Sequence, residues 1–171
     1  INPVRPAQYI GPHASVKSSL IVEGCIVHGE VENSVLFPGV FVGKNTVIKN
    51  SVIMPNTKIG ENVIIDKAIV GNNVTIGGLG TQFWTHGFNI LNEKVQGPIY
   101  IGDNCYIGSR SIVLPGIKVA NFVSIGAGTT VSSNCEQEGF YVSSQMKYLG
   151  VHKSANYVDT IIREGNVFHR K

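Results

Sequence analysis

The residue of this chain whose type and surroundings best suit acid–base chemistry is His86. It follows Thr85 in a segment that also contains Trp84, the single tryptophan, and the phenylalanines Phe83 and Phe88. An imidazole with an ordinary pKa of about 6.5 is mostly neutral at about pH 7 and can accept a proton from a hydroxyl group. Aromatic side chains pack on the apolar faces of sugar rings and exclude water. We therefore expect either a histidine base beside a sugar-like hydroxyl or, as the alternative, a solvated histidine without a role.

The residues around His86 are candidates for contacts with an acceptor. Phe83, Trp84 and Asn89 are predicted to bind the substrate, and Asn89 and Glu93 could also orient the imidazole. The alternative for the aromatic residues is that they pack this segment against a neighbouring subunit. Both roles are compatible in an oligomer.

A repeat of β-branched residues indicates how the chain positions this segment. Every sixth residue of one tract is Ile or Val, namely Ile101, Ile107, Val113, Val119, Ile125 and Val131. A strand rises about 3.3 Å per residue, so six residues form one flat face about 20 Å long before the chain turns. One inward β-branched residue per face stacks on its equivalent in the next coil. The repeat therefore predicts an all-β fold, a coiled parallel β-solenoid.

The composition agrees with this fold. The chain has 20 Ile and 22 Val against six Leu, which favours stiff side chains stacked in a narrow core. Its 20 glycines exceed the usual share and its 15% of charged residues lie below the usual roughly 25%. Turns with Asn after Gly-x, at Asn45, Asn62 and Asn104, predict left-handed backbone at the corners.

One domain with four parts is predicted. A first repeat tract covers 1–77, a protruding loop 78–98, a strict hexapeptide tract 99–133 and an irregular C-terminal cap 134–171. In the first tract the apolar corners recur at spacings of 16, 16, 17 and 17, each shorter than a triangular coil of three full hexads. Within the cap, 156–165 has the length of a short helix followed by glycine, and Glu136–Val151 could form one more turn. A cap would cover the exposed strand edges of the last coil.

Charge, cysteine count and hydropathy exclude several classes of function. The net charge of +3 is mild and no block of like charges occurs, so nucleic acid is not an expected partner. The three cysteines Cys25, Cys105 and Cys135 form no CxxC pair and indicate reduced thiols in a cytoplasmic protein. No apolar run reaches the roughly 18 residues of a membrane span. The chain begins without Met or a signal peptide, which indicates a fragment or a processed chain.

No metal site is expected from the histidine spacing. A zinc site needs clustered ligands, whereas the two nearest histidines in the sequence, His13 and His28, are almost a whole coil apart. At this separation the two could stack on one face, although corner or surface positions explain them equally well.

The tract from Pro98 to Thr129 contains Ile-Gly-Asp-Asn, Leu-Pro-Gly and Ile-Gly-Ala-Gly elements in order and in phase. It resembles the signature of the hexapeptide-repeat acyltransferases, which are left-handed parallel β-helix enzymes that use acetyl-CoA. This resemblance implies a homotrimer with active sites between neighbouring β-helices. Sugar O-acetyltransferases of the family have a Thr-His element shortly before the signature, where Thr85 and His86 stand here. The resemblance thus indicates that His86 is the catalytic general base.

Within this signature the resemblance indicates where acetyl-CoA binds. Backbone N–H groups near Gly108, Ser109 and Gly126 could stabilise an oxyanion or simply close turns. Tyr106 could flank the pantetheine arm or merely cover the solenoid surface, and basic residues should bind the phosphates. Lys118 and Lys153 are available for the phosphates. The residues predicted to bind the cofactor are Tyr106, Gly108, Ser109, Arg110, Gly126, Ala127 and Lys147.

A second resemblance covers residues 1–76. Arg5–Gly11, Gly29–Leu36 and Met54–Val63 are similar to the C-terminal β-helix of bacterial glucose-1-phosphate adenylyltransferase, which serves assembly and regulation. Nothing in the chain resembles the nucleotidyltransferase domain that precedes that β-helix. Two hypotheses follow. The chain is an acetyl-CoA-dependent O-acetyltransferase that acts directly on a carbohydrate hydroxyl, without an acyl-enzyme, or it is a non-catalytic assembly or regulatory β-helix of a sugar-nucleotide pyrophosphorylase-type enzyme.

Overall fold

The structure is a computed structural model that describes residues 5–88 and 91–143, together with two short strands at 159–160 and 169–170. Within these residues, three parallel sheets of eight, seven and six strands run side by side. Each coil contributes one strand to each sheet in turn, so the chain forms a left-handed parallel β-helix of about eight coils. The described residues contain strands and turns but no helix. The predicted fold is confirmed.

The first sheet, called face 1, begins most coils. Its strands are Tyr9–Ile10, Ile26–Val27, Phe41–Val42, Lys58–Ile59, Thr75–Ile76, Tyr106–Ile107, Val123–Ile125 and Gly139–Tyr141. Face 2 consists of Ser15–Lys17, Glu30–Glu32, Val47–Lys49, Ile64–Asp66, Gln82–Phe83, Ile112–Val113 and Thr130–Val131. Face 3 consists of Leu20–Ile21, Val35–Leu36, Val52–Ile53, Ala68–Val70, Ile99–Ile101 and Lys118–Val119. We call the turns after faces 1, 2 and 3 corners 1, 2 and 3.

The interior of the β-helix is lined by the predicted hexad residues. All six, from Ile101 to Val131, are at most 5% exposed, because alternate residues of each strand point inward. Equivalent residues stack in register across neighbouring coils, as Ile76, Ile107 and Ile125 do on face 1. Asn45, Asn62 and Asn104 have positive φ, as predicted for the corners.

Coil length varies more than the corner spacings indicate. On face 1 Ile10 pairs with Val27, and Val27 pairs with Val42, so the first coil is longer than its corner spacing and the second is shorter. Near the other end, Ile107 pairs with Ile125, which gives the three full hexads of a triangular coil. The apolar motif at Ile26 lies one position out of register with Ile10, which explains the difference.

The segment predicted as a loop at 78–98 remains in the coil for its first part. Gln82–Phe83 is a strand of face 2, paired with Ile64–Ile65 and Ile112–Val113. The chain leaves the coil only after Thr85 and rejoins it at face 3. The excursion is a β-hairpin, here called the hairpin, in which His86–Phe88 pairs antiparallel with Lys94–Gln96.

The C-terminal part is described only at a few positions. Gly139–Tyr141 pairs with Val123–Ile125 and extends face 1 by one strand, within the segment for which one more turn is predicted. Of the segment 156–165, where we predict a short helix, Asp159–Thr160 is described, and it forms a strand paired with His169–Arg170. The rest of 156–165 lies outside the described residues.

Candidate functional site

His86 lies in the first strand of the hairpin at corner 2 of the fifth coil. Its side chain is exposed. The antiparallel register places Gln96 opposite His86 and Lys94 opposite Phe88. Because alternate residues of a strand share a face, these four side chains project from the same side of the hairpin. An imidazole, an ammonium group, an amide and an exposed phenyl ring therefore line one solvent-facing surface.

Lys94 and Gln96 were missed by the sequence argument, although a signal for them exists. Asn92 lies between the two strands of the hairpin and has a φ of 59°. Asn at positive φ between two short strands is typical of a hairpin. A hairpin inferred from this signal places the strand Lys94–Gln96 opposite His86.

Thr85 anchors the root of the hairpin. It is buried, its carbonyl accepts the N–H of Gly97 at 3.0 Å, and its hydroxyl donates to Asp66 Oδ2 at 3.3 Å. Asp66 Oδ1 in turn accepts the side-chain amide of Asn50 at 2.8 Å. These bonds tie the residue before His86 to the preceding coils.

Asp66 ends a column of alternating charges on face 2. Lys17, Glu32, Lys49 and Asp66 lie in register on successive coils. Lys49 Nζ contacts Glu32 Oε2 at 2.9 Å, and this hydrogen bond lowers the pKa of the Glu32 carboxyl. Both side chains of the pair are about half exposed, so water screens their interaction.

We predict that the contact between Asp66 and Thr85 restrains the hairpin. Asp66→Ala and Thr85→Val should each speed amide hydrogen exchange in His86–Phe88 roughly fivefold, because one hydrogen bond contributes about 1 kcal/mol. The double variant should be no faster than Asp66→Ala alone, since Thr85→Val removes a bond that Asp66→Ala has already removed. Glu32→Ala is the matched control, because it removes a carboxylate from the same column two coils away. Additive effects of Asp66→Ala and Thr85→Val would contradict the prediction.

The aromatic candidates beside His86 differ in their surroundings. Trp84 is 47% exposed and its Nε1–H donates to Gln82 Oε1 at 2.6 Å, so its ring is available at the surface. Phe83 is 2% exposed and lies inside the β-helix between Ile65 and Val113. The structure therefore gives Phe83 a packing role in place of the predicted contact with substrate. Asn89 lies outside the described residues.

The cofactor candidates are not adjacent to His86 within one chain. Tyr106 lies on face 1 with 46% of its side chain exposed. Gly108, Ser109 and Arg110 lie at corner 1 of the sixth coil, and Gly126 and Ala127 lie at corner 1 of the seventh. Face 2 separates these positions from the hairpin at corner 2. Lys147 and Lys153 lie outside the described residues.

Two of the predicted oxyanion donors are already used by the fold. The N–H of Gly108 donates to the Ile125 carbonyl at 2.9 Å, and the N–H of Gly126 donates to the Tyr141 carbonyl at 2.8 Å. Both belong to the hydrogen bonds between coils, so neither N–H points to solvent. The prediction of oxyanion stabilisation by these two N–H groups is wrong. Gly108 is also required sterically, because a Cβ there would clash with the backbone nitrogen of Ala127 in the next coil.

Cys105 has the properties of a structural thiol. It is 3% exposed, and its thiol donates to the Ala120 carbonyl at 3.1 Å. Burial raises the pKa of the Cys105 thiol, so the nucleophilic thiolate is disfavoured. Cys105 is therefore disfavoured as a covalent nucleophile.

Neither a metal centre nor a membrane-spanning helix is found in the part of the chain that the structure describes. There, no three His, Cys, Asp or Glu side chains come together as metal ligands. No helix long and apolar enough to cross a bilayer occurs among the same residues.

The three-faced coil and its repeat define the class of protein. A family model described as GlmU-like, C-terminal hexapeptide matches residues 6–82, and one described as bacterial transferase hexapeptide (six repeats) matches residues 98–133. The gap between the two matches, 83–97, contains the hairpin. Both models describe hexapeptide repeats, and both resemblances inferred from the sequence are confirmed.

Relatives by sequence are glucose-1-phosphate adenylyltransferases. The enzyme of Clostridium perfringens (strain SM101) is 73% identical over 48 residues, which are 28% of this chain and 12% of that protein. The enzyme of Acetivibrio thermocellus is 39% identical over 137 residues, 72% of this chain and 31% of that protein. The chain thus spans a third or less of the length of these relatives.

Similar solved structures are acetyltransferases. A maltose O-acetyltransferase from Clostridium difficile 630 has a TM-score of 0.54 and 22% identity, over 74% of this chain and 65% of that one. The acetyltransferase domain of PglB from Neisseria gonorrhoeae FA1090 has a TM-score of 0.53 and 18% identity, over 81% of this chain and 55% of that one. At these identities the likeness shows the shared fold.

Proposed function

We propose that this protein is an acetyl-CoA-dependent O-acetyltransferase that acts on the hydroxyl group of a carbohydrate. The observation that supports it most directly is the hairpin, which interrupts the β-helix and exposes His86 two residues after the exposed Trp84. A hairpin at this point is not needed for the fold, because the coils before and after it stack in unbroken register. The likeness of the fold to solved acetyltransferases agrees with this function.

In the proposed mechanism His86 removes the proton from the acceptor hydroxyl as the oxygen attacks the thioester carbonyl. The tetrahedral intermediate collapses with loss of coenzyme A thiolate, and the imidazolium returns its proton to that sulfur. Trp84 would pack against the sugar ring. A solvent-facing imidazole on a paired strand suits this role, since general bases work best when their geometry is preset.

The separation of His86 from the cofactor candidates favours an active site between two copies of the chain. Corner 1, with Ser109, Arg110 and Ala127, and the hairpin at corner 2 lie at opposite edges of face 2. A homotrimer, as the family resemblance implies, would bring corner 1 of one copy to the hairpin of the next. We propose that Tyr106 and Arg110 contact the coenzyme A bound there.

The test is acetyl transfer by the purified chain from radiolabelled acetyl-CoA to a panel of mono- and oligosaccharides. We expect labelled sugar and stoichiometric release of coenzyme A with at least one acceptor. The absence of both acetyl-CoA binding and coenzyme A release would refute the enzymatic function.

A second candidate is an assembly or regulatory β-helix that carries out no chemistry. The adenylyltransferase relatives favour it. So does face 3, whose outward column holds five apolar residues in register: Leu20, Val35, Val52, Ile69 and Tyr100. Leu20, Ile69 and Tyr100 of this column are exposed, whereas Val35 and Val52 are half-buried. Exposed apolar patches are typical of surfaces that bind another protein.

Oligomeric state measured by light scattering tests whether face 3 is an interface. Ile69→Glu should dissociate an assembly built on face 3, because it places a charge among apolar contacts. Ile64→Glu is the matched control, since Ile64 on face 2 has nearly the same exposure, 48% against 44%. An unchanged mass for both variants, together with acetyl transfer by the wild type, would reject the second candidate.

A further inference from the structure

Corner 1 of the second coil is two residues shorter than the same corner of its neighbours. Four residues, 11–14, connect faces 1 and 2 in the first coil, and four residues, 43–46, connect them in the third. In the second coil His28 and Gly29 alone make this connection. Since the turns on either side project further, the short corner leaves a notch of about 440 Å³ between them.

The notch is lined by side chains of complementary chemistry from three successive coils. Pro12 and His13 come from the first coil and Lys44 and Asn45 from the third. The second coil contributes His28, Gly29 and Glu30. The lining thus includes two histidines and one lysine together with one glutamate and one asparagine.

The His28 ring is held in a defined place. It packs edge to face against Tyr9, with ring centres 5.7 Å apart, and against Phe41, with ring centres 5.9 Å apart. Gly11 leaves room for it, because a Cβ at that position would lie 2.8 Å from His28 Nδ1. Gly29 is tightly packed against the Thr46 carbonyl of the next coil, where no side chain fits. A preset imidazole loses little rotamer entropy when a ligand binds.

The groups in the notch suit an anion that also carries hydroxyl groups. Imidazole N–H and ammonium groups donate hydrogen bonds to phosphate oxygens. Because the phosphate is ionised, these hydrogen bonds are charge-assisted and are among the stronger ones in proteins. Glu30 would repel a second anionic group and Asn45 carries no charge to attract one. Both side chains can accept hydrogen bonds from hydroxyls. We propose that the notch binds a small phosphate monoester that carries hydroxyl groups, with phosphate at His13, His28 and Lys44 and hydroxyls at Glu30 and Asn45.

The size and position of the notch agree with this assignment. Its volume lies in the lower part of the range of about 300–1,000 Å³ that small-molecule sites occupy, so a ligand of modest size fits. It lies at corner 1 of the first three coils, whereas the hairpin is at corner 2 of the fifth. This proposal therefore does not depend on the function proposed for His86.

Side-chain NMR of the histidines in the full chain tests the proposal with glucose 6-phosphate, inorganic phosphate and glucose as probes. Glucose 6-phosphate should shift the resonances of His13 and His28 in a saturable manner. Inorganic phosphate should bind roughly tenfold more weakly, because it lacks hydroxyls for Glu30 and Asn45. Glucose should cause no shift. The His86 resonance should not follow these titrations.

Substitutions distinguish a built site from general attraction of anions. Lys44→Gln should weaken binding of glucose 6-phosphate about tenfold, whereas Lys58→Gln, which removes an exposed lysine of face 1 outside the notch, should leave it unchanged. Insertion of two residues between His28 and Gly29 restores the usual corner length and should abolish binding while circular dichroism stays native. His86→Gln should bind the probe normally. Equal weakening by Lys44→Gln and Lys58→Gln, or no shift of His28 at 10 mM probe, on the order of the weakest specific affinities, would overturn the proposal.

Discussion

Replacement of His86 by glutamine is expected to lower kcat for acetyl transfer by about 10²- to 10⁴-fold, the usual contribution of a general base. Glutamine retains a side chain that can form hydrogen bonds but cannot take a proton from the acceptor. Because His86 is exposed on the hairpin and packs into no core, the variant should fold normally. The KM for acetyl-CoA should stay within about twofold, since ground-state binding is untouched.

The control for this result is Lys17→Gln. Lys17 is another exposed side chain that can be charged, on face 2 of the first coil, far along the axis from the hairpin. Steady-state rates with saturating acetyl-CoA and a sugar acceptor provide the comparison. Equal rates for His86→Gln and the wild type would show that His86 is not the base, even if the chain proves to be an acetyltransferase.

Phe83→Ala is expected to destabilise the fold by about 3–5 kcal/mol, the usual cost of removing a buried phenyl ring. Phe83 occupies an inward position of face 2 where the flanking coils have Ile65 and Val113, so no neighbouring side chain can fill the space. The effect should be largest near the fifth coil, because each coil of a solenoid contacts only its neighbours. Urea unfolding followed by circular dichroism measures the loss.

Trp84→Ala supplies the comparison for Phe83. Trp84 is the next residue and is larger, but its side chain points outward and is about half exposed. Its replacement should change the free energy of unfolding by about 0.5 kcal/mol or less, as for most surface positions. Comparable destabilisation by the two variants would mean that Phe83 does not occupy the core position that the register gives it.

The hexad tract could be predicted from sequence almost residue by residue. Ile107, Val113 and Ile125 are fully buried and Ile101 nearly so, as the six-residue spacing requires. The reason is that one inward residue per face is a local rule, repeated in every coil, and does not depend on distant parts of the chain. The positive φ of the corner asparagines follows from the same local geometry.

The candidate site was harder to predict. The pair Phe83-Trp84 reads as one aromatic cluster in sequence, yet successive residues of a strand point to opposite faces, so one ring is core and the other surface. Which of the two rings points inward follows from the pairing of Gln82–Phe83 in face 2, and this pairing is visible only in the structure. The contact of Thr85 with Asp66 joins different coils and depends on the exact length of one of them.

The sequence by itself determined the architecture, a parallel β-helix broken once near His86, because stacked β-branched residues and corner turns are encoded within each short repeat. Only the tertiary structure decided where the break begins, which aromatic ring faces inward, and that His86 lies across face 2 from the predicted cofactor residues. Those facts depend on the unequal lengths of the coils, which set the corner that each residue reaches. The notch beside His28 has the same origin, since it exists only because one coil is shorter than those on either side.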